Sequence, residues 1–320
     1  MHKLQAFCVD SVVYWIFASP SKFFDVDSLS DFMKEQQDSK NINDLVSLFT
    51  GRIEIDSNFK SRSNINHVVF DFDGTISLIR EGWPDVMLPM FEELLPNIPG
   101  DISESVRKML FDDIMTLNGK QTIYQMIRFC ERIKERGGNP EDPIYYKREY
   151  LRRLDAKING RVEALVNGDE LPEKFLLHGI VNLLNQFQHR GLNLYLASGT
   201  DEQYVKREAE LLGVSKYFGG HIYGALDDYK SFSKKIIIER ILENNSVSGD
   251  SLLVIGDGYV EIENGKSVGG VAIGVASDEA NNGSGEFDEW KRQRLIGVGA
   301  DIVIADYRDS SLLLELILGK

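Results

Sequence analysis

Val68-Val69-Phe70-Asp71-Phe72-Asp73-Gly74-Thr75 is the stretch whose reading decides the fold. It begins as a short β-branched and aromatic run and breaks into two acids, a glycine and a threonine. A strand buried on both faces reads as a continuous apolar run of this kind, where a half-exposed strand would alternate. Similar runs recur downstream: Leu192–Leu196, Ser251–Ile255, Val271–Val275 and Asp301–Ile304. Helical patterns at Gln203–Leu212 and Lys234–Leu242 separate several of them. Alternating strands and helices predict an α/β fold, a Rossmann-like doubly wound parallel sheet.

The interval between the first two runs carries no comparable strand. From about Trp83 to His189 it is rich in helix formers, with a stripe at Ile123, Met126, Ile127 and Cys130. It reads as an inserted α-helical cap of domain size. The expected division is an N-terminal extension over 1–64, an α/β core over 65–82 and 190–320, and a helical cap over 83–189. Within the extension, Val12–Ala18 is apolar but too short to span a membrane and reads as a buried strand. A short helical pattern follows at Asn43–Phe49, and Ser57–Asn66 is polar and linker-like.

Composition narrows the partners. The chain has 320 residues and a formal net charge of −14. An acidic surface repels nucleic-acid backbones and anionic membranes, so neither is an expected partner. Cys8 and Cys130 stand in no metal or redox spacing, and a cytoplasmic location is the default.

In an open α/β sheet, ligands bind beyond the carboxyl ends of the strands. Asp71, Asp73, Gly74 and Thr75 follow the first run. Ser198, Gly199 and Thr200 follow the second. Gly256, Asp257 and Gly258 follow the third, with Glu261 four residues after Asp257. Bunched carboxylates repel one another unless a cation stands between them. Oxygen-only ligands suit magnesium, which also grips substrate phosphate. A phosphate there needs donors: glycine-turn N–H groups, a hydroxyl and a lysine. A carboxylate can attack phosphorus, and a second acid can protonate the leaving oxygen.

Three lysines compete for the last role. From Lys234, the positions three, four and seven ahead are Ile237, Ile238 and Ile241, so Lys234 shares the inward face of its helix. From Lys235 the stripe is broken by Glu239, and Lys230 and Lys235 read as solvated surface.

The run ending in Asp71-Phe72-Asp73-Gly74-Thr75 resembles motif one of the haloacid dehalogenase superfamily, an apolar strand followed by DxDGT. Leu196–Thr200 is similar to its second motif, Lys234 to its third and Val254–Gly258 to its fourth, all in the family's order. The resemblance covers residues 65–320 and is weakest in the insertion. It implies a magnesium-dependent phosphatase acting on a small phosphorylated metabolite such as a sugar phosphate or phosphoglycolate. Asp71 would be the nucleophile, Asp73 the general acid and base, and Ser198 and Lys234 the remaining catalytic groups. Asp71, Asp73, Asp257 and Glu261 would hold the metal, although Glu stands at 261 where the family usually has Asp. Thr75, Gly199, Arg80, Trp83 and Lys120 are the candidate substrate contacts. Glu81 and Arg128 are further candidates, and Lys120 and Arg128 also read as solvated helix positions. An Asp at 73 marks the phosphatase and phosphomutase branches.

Two other readings fit the same sequence: a sugar phosphomutase of β-phosphoglucomutase type, and a binding or regulatory protein on a retired enzyme fold. The second is opposed by the presence of every expected catalytic residue type. All four motifs lie beyond residue 65, so the chemistry is expected to survive removal of residues 1–64.

Overall fold

The computed structural model describes residues 53–319 apart from 227 and 230, together with the backbone of two strands nearer the N-terminus. Those strands, β1 (Leu4–Val9) and β2 (Val12–Phe17), form an antiparallel pair of their own. The strand expected at Val12–Ala18 is therefore present. Its burial, the helical pattern at Asn43–Phe49 and Lys230 lie outside the described residues.

The core is a seven-stranded sheet. Its strands are β3 (Ile53–Ile55), β4 (His67–Phe70), β5 (Asn193–Asp201), β6 (Ile222–Ala225), β7 (Leu252–Gly256), β8 (Val271–Val275) and β9 (Ile302–Ile304). Their order across the sheet is β3-β9-β8-β7-β4-β5-β6. All pairings are parallel except β3 with β9. The chain leaves β4 towards β5 and β6, then crosses back to β7 on the other side of β4. The order reverses at β4, which makes its carboxyl end the switch point where such sheets bind ligands.

Side chains alternate between the two faces, as the two-residue period requires. Val68, Phe70, Leu194, Leu196, Leu253 and Ile255 face one way into a single large core. Helices α5 (Ile180–His189) and α11 (Ser310–Leu318) cover it with Leu183, Phe187, Leu313 and Ile317. Val69, Tyr195, Ala197 and Val254 face the other way, under Ile237, Ile238 and Ile241 of α8 (Lys234–Asn245). Further along that face, Ala272 and Val303 pack under Ile262 of α9 (Tyr259–Ser267) and Leu295 of α10 (Glu289–Gly297).

Between β4 and β5 stand α1 (Pro84–Leu94), α2 (Ser103–Thr116), α3 (Thr122–Glu135) and α4 (Pro143–Asn167). The predicted stripe is real: Ile123, Met126 and Cys130 are buried and Ile127 is half-buried. Phe91 of α1 stacks on Phe129 of α3 at 4.0 Å between centroids, and Tyr146 of α4 meets Phe129 edge-on. Helix α4 starts at Pro143, where the Asp142 carboxylate accepts the Ile144 N–H, and it stops at Gly168. Helix α5, expected within the cap, instead packs on β5 and α11. The shorter helices α6 (Glu202–Leu211) and α7 (Ser215–Phe218) complete the layer near β6.

Three strands escaped the sequence reading, β1 and two of the core sheet. Ile222–Ala225 is only four residues and contains a glycine, which dilutes its strand signal. Ile53–Ile55 lies upstream of residue 65, yet it pairs with β9 and buries Ile53 to 1% exposure. Glu54 adds a two-point ion pair to Arg292 of α10, at 2.7 and 3.0 Å. The sheet therefore begins before the expected boundary, and residues 53–55 are part of it.

Removing residues 1–64 should accordingly expose the β9 edge and destabilise the core, although all four motifs lie beyond that segment. Ile53→Ala is the milder version and should cost about 2–4 kcal/mol, as for other buried large-to-small changes. Urea unfolding of the full chain against both variants checks this, and an unchanged midpoint for the truncation would refute it.

Candidate active site

The parallel register sets the site. Phe70 lies opposite Leu196 on one side and Ile255 on the other. Asp71 is one step past this level and donates its N–H to the Ile255 carbonyl at 2.9 Å. Ser198 and Asp257 are each two steps past it on the flanking strands. After Asp71 the chain turns tightly, with the N–H groups of Ile76 and Ser77 on the Phe72 carbonyl. Gly74 takes φ +72°, and a Cβ there would stand 2.5 Å from Asp257 Oδ2, so backbone and space both require glycine.

Lys234 stands beside Asp71. Ser233 caps α8 by accepting the Ile236 N–H, and Lys234 opens the helix from the buried face. Its Nζ lies 2.7 Å from Asp71 Oδ1 and also meets Glu261 Oε1. Burial alone would lower the lysine's pKa, but Asp71 and Glu261 outweigh it and hold the ammonium charged. Burial pushes the Asp71 carboxyl well above the usual range; Lys234 pulls it back, and Glu261 and Asp257 push it further up. Lys235 points outward and pairs with Glu239 at 3.8 Å.

Asp73 faces the second strand. Its Oδ2 accepts the Thr200 hydroxyl at 2.7 Å and the Ser198 hydroxyl at 3.3 Å. Its Oδ1 is buried without a hydrogen bond, and the nearest cation, Arg80 Nε, is 3.8 Å away. Arg80 itself is bound through two nitrogens to Glu208 of α6, at 2.7 to 3.2 Å. It lines the cleft but is 4% exposed, with its donors already directed at another carboxylate.

Asp257 is fixed at both ends. Its N–H donates to the Thr75 hydroxyl at 3.0 Å, and its Oδ2 lies 3.0 Å from Nζ of Lys291, a residue of α10. Lys291 also meets Glu279, on the loop after β8. Thr75 is fully buried and supports Asp257 from beneath; it does not line the cleft, where it was expected as a substrate contact.

The four acids expected to hold metal do not form one set. Asp71 and Asp257 each keep one oxygen out of a lysine contact, the Asp73 carboxylate is directed at hydroxyls, and Glu261 is held by Lys234. Among the described residues, no group of three or more Asp, Glu, His or Cys side chains is arranged to hold a metal ion. Magnesium needs only one or two carboxylates beside water and substrate phosphate, so Asp71 and Asp257 suffice in principle.

Above these groups lies an open cleft of about 770 Å³, mouth included. Asp71, Asp73, Ser198, Gly199, Lys234 and Asp257 line its floor, and Trp83, Lys120, Gln125 and Tyr150 line its cap side. The cap sits close. A Cβ on Gly199 would be 2.8 Å from the Lys120 carbonyl, so only glycine permits this approach. Gln121 donates to the carbonyls of Tyr229 and Phe232 on the core, and Lys147 of α4 pairs with Asp201 at 2.5 Å. Arg128 lies away from the cleft lining and is engaged by Asp113 and Glu131.

Comparison with known proteins assigns the fold to a family. Residues 65–269, more than half of the chain, match the family of haloacid dehalogenase-like hydrolases. This chain belongs to that family. No curated protein matches it, but many solved structures share its fold. One is a predicted phosphatase from Clostridium acetobutylicum, 20% identical, covering 79% of this chain and 99% of that one at a TM-score of 0.52. Another is a predicted phosphoglycolate phosphatase from Haemophilus somnus, 15% identical, covering 78% and 98% at 0.50. A third, a haloacid dehalogenase-like protein of unknown function from Agrobacterium tumefaciens, is 16% identical, covering 78% and 97% at 0.51.

In this haloacid dehalogenase-like hydrolase, sequence reading missed Glu208, Glu279 and Lys291. Lys291 did leave a trace: Leu295, four positions ahead, is fully buried, so both share the inward face of α10. Glu279 sits in a loop, and Glu208 is 128 residues from its partner; neither has a local signature.

The Arg80–Glu208 pair is buried and should behave as such pairs do. Arg80→Ala is expected to cost about 3–5 kcal/mol by stranding Glu208, and a combined Arg80→Met, Glu208→Leu change should recover most of the loss. Denaturant unfolding of the three proteins measures it. Equal stability of the single variant and the native chain would show that the pair carries no such strain.

Proposed function

We propose that this chain is a magnesium-dependent phosphatase that hydrolyses a small phosphorylated metabolite through a phosphoryl group carried on Asp71. The carrying observation is the Asp71–Lys234 contact on the cleft floor, with the Asp73 carboxylate two residues on and facing the same cleft. The family assignment and the similarity in fold to predicted phosphatases support the reading.

Each residue has a defined task in it. The Asp71 carboxylate attacks phosphorus, forming an O–P bond as the bond to the leaving oxygen breaks. Asp73 gives that oxygen a proton, and the Arg80 guanidinium beside it holds Asp73 in place through charge. Lys234 and the Ser198 hydroxyl carry the non-bridging phosphate oxygens. Water then attacks the aspartyl phosphate, with Asp73 taking the proton back, and phosphate and Asp71 are restored. Magnesium held by Asp71 and Asp257 would neutralise charge on the transferring group. Gly199 N–H, Lys120 and Trp83 are the proposed contacts to the rest of the substrate.

Phosphate release across a panel of phosphorylated metabolites, with magnesium and with chelator, tests the reading. Turnover should require magnesium or manganese, and full turnover in excess chelator would overturn the metal assignment. Asp71→Asn should abolish turnover in a folded protein, because an amide is a poor nucleophile, and beryllium fluoride should form its adduct on Asp71 in the native chain. An adduct on another residue would count against the assignment.

Asp73→Asn separates the proton role from a structural one. A sugar alkoxide needs a proton in order to leave, and general acid catalysis typically contributes about 10²–10⁴-fold. A p-nitrophenolate leaves without it. Single-turnover phosphoryl transfer should therefore fall far more for the sugar phosphate. Equal losses for both esters would remove Asp73 from the general-acid role.

A further inference from the structure

Lys291 and Glu279 lie beyond residues 65–269, the span over which the family matches, and the mechanism above gives neither a task. Yet both are built into the cleft floor. The Lys291 side chain is 8% exposed, with its ammonium 3.0 Å from Asp257 Oδ2 and against Glu279 Oε1. Glu279 lines the cleft beside Asp257, and Gly74 leaves room for both carboxylates at once.

The arrangement repeats the one around Asp71. There a buried lysine, Lys234, joins a site aspartate to a buried glutamate, Glu261. Here Lys291 joins Asp257 to Glu279. In each case one aspartate oxygen is engaged: Oδ1 of Asp71, and Oδ2 of Asp257. Taking a lysine and a glutamate out of water costs several kcal/mol per ion, so their burial is weak evidence of a purely stabilising role. The added pair carries no net charge, so it leaves the total charge of the floor unchanged. What it does supply is a fixed direction for one carboxylate. The Thr75 hydroxyl already fixes the Asp257 backbone, and Lys291 fixes its side chain. Lys291 is itself steady, since its N–H donates to the capping Asp288 carboxylate in the first turn of α10.

We propose that Lys291, held by Glu279, is a positioning residue that presents the free oxygen of Asp257 to the metal, an inference that rests on the phosphatase reading above. Outer groups that orient a ligand typically govern about 10–100-fold in metal affinity. The rival role for Lys291 is competition, an ammonium standing where a metal would otherwise bind.

The two roles predict opposite signs in a charge-balanced variant. Lys291→Met with Glu279→Gln removes one charge of each sign and keeps both shapes. Manganese binding to the full chain, followed by the paramagnetic resonance of free manganese, should then weaken by about 10–100-fold. Unchanged or tighter binding overturns the proposal. Lys291→Gln with Glu279→Gln, equally charge-balanced, carries the same test should the first double variant fail to fold: it should also weaken binding, and unchanged or tighter binding is again fatal. Asp257→Asn separates this failure from that of the parent reading. If the native chain binds no manganese, or if Asp257→Asn binds it as the native chain does, the metal site itself is refuted. If Asp257→Asn loses binding while the balanced variant keeps it, only the positioning role falls.

Discussion

Carboxylates crowd the carboxyl edge of this sheet because its register puts them there. With Phe70 level with Leu196 and Ile255, the residues that leave the strands at the switch point are Asp71, Asp73 and Asp257, and Glu261 and Glu279 close in from the next segments. Two unit charges 4 Å apart repel by about 4 kcal/mol at an effective dielectric of 20, so several such pairs would exceed the stability of a typical domain. Lys234 and Lys291 resolve this. Each ammonium stands between an aspartate and a glutamate, buried with them, and each is kept charged by its acids against the pull of burial. The rest of the floor follows from that constraint: glycine at 74 to admit the Asp257 and Glu279 oxygens, and helix α8 beginning where its first residue can reach Asp71.

The sheet was largely legible in the sequence because its central strands are buried on both faces and read as unbroken apolar runs. Lys234 was legible for a related reason, since its three isoleucines mark the inward face of a helix. What could not be read was pairing across the fold. Arg80 stood out as a cation near the cleft, but its partner Glu208 comes from a helix that the insertion separates from it, and that bidentate pair turns a substrate contact into a support for the floor. Thr75 was read as a substrate contact, and the turn instead tucks it under Asp257. The edge strand at Ile53–Ile55 is three residues long, too short for any periodicity to reveal, and it gains its place by pairing with β9.

The cap bears on the chemistry through contact rather than through reactive groups. Gln121 reaches carbonyls of the core, Lys147 reaches Asp201, and the Lys120 carbonyl lies against Gly199. These contacts join three cap positions to the end of β5, which carries Ser198, and to the segment leading into α8, which opens with Lys234. A shift of the cap therefore acts on both sides of the floor. In the proposed reaction a cap held this close would exclude water that could otherwise compete as acceptor before Asp71 has been loaded.

Charge on the cleft lining bears on the same proposal. Its cations are Arg80, Lys120 and Lys234, and its acids include Asp71, Asp73, Glu81, Asp201, Asp257 and Glu279. Arg80 is engaged by Glu208 and Lys234 by Asp71 and Glu261, while Glu81 and Asp201 are matched by Arg161 and Lys147. Lys120 is exposed at the rim, 6.0 Å from the Tyr124 ring. On the floor itself, Asp71, Asp73, Asp257, Glu261 and Glu279 face two ammonium groups and the Arg80 guanidinium, which Glu208 already matches, so a phosphate dianion would enter a site that is already negative. Hydrogen-bond donors stabilise such an anion but do not reverse the sign of the field. A divalent cation held by Asp71 and Asp257, as proposed, would do so and would supply positive charge to the transferring group. The surplus of acids over ammonium groups is thus the physical ground for expecting metal dependence, independent of any resemblance in sequence.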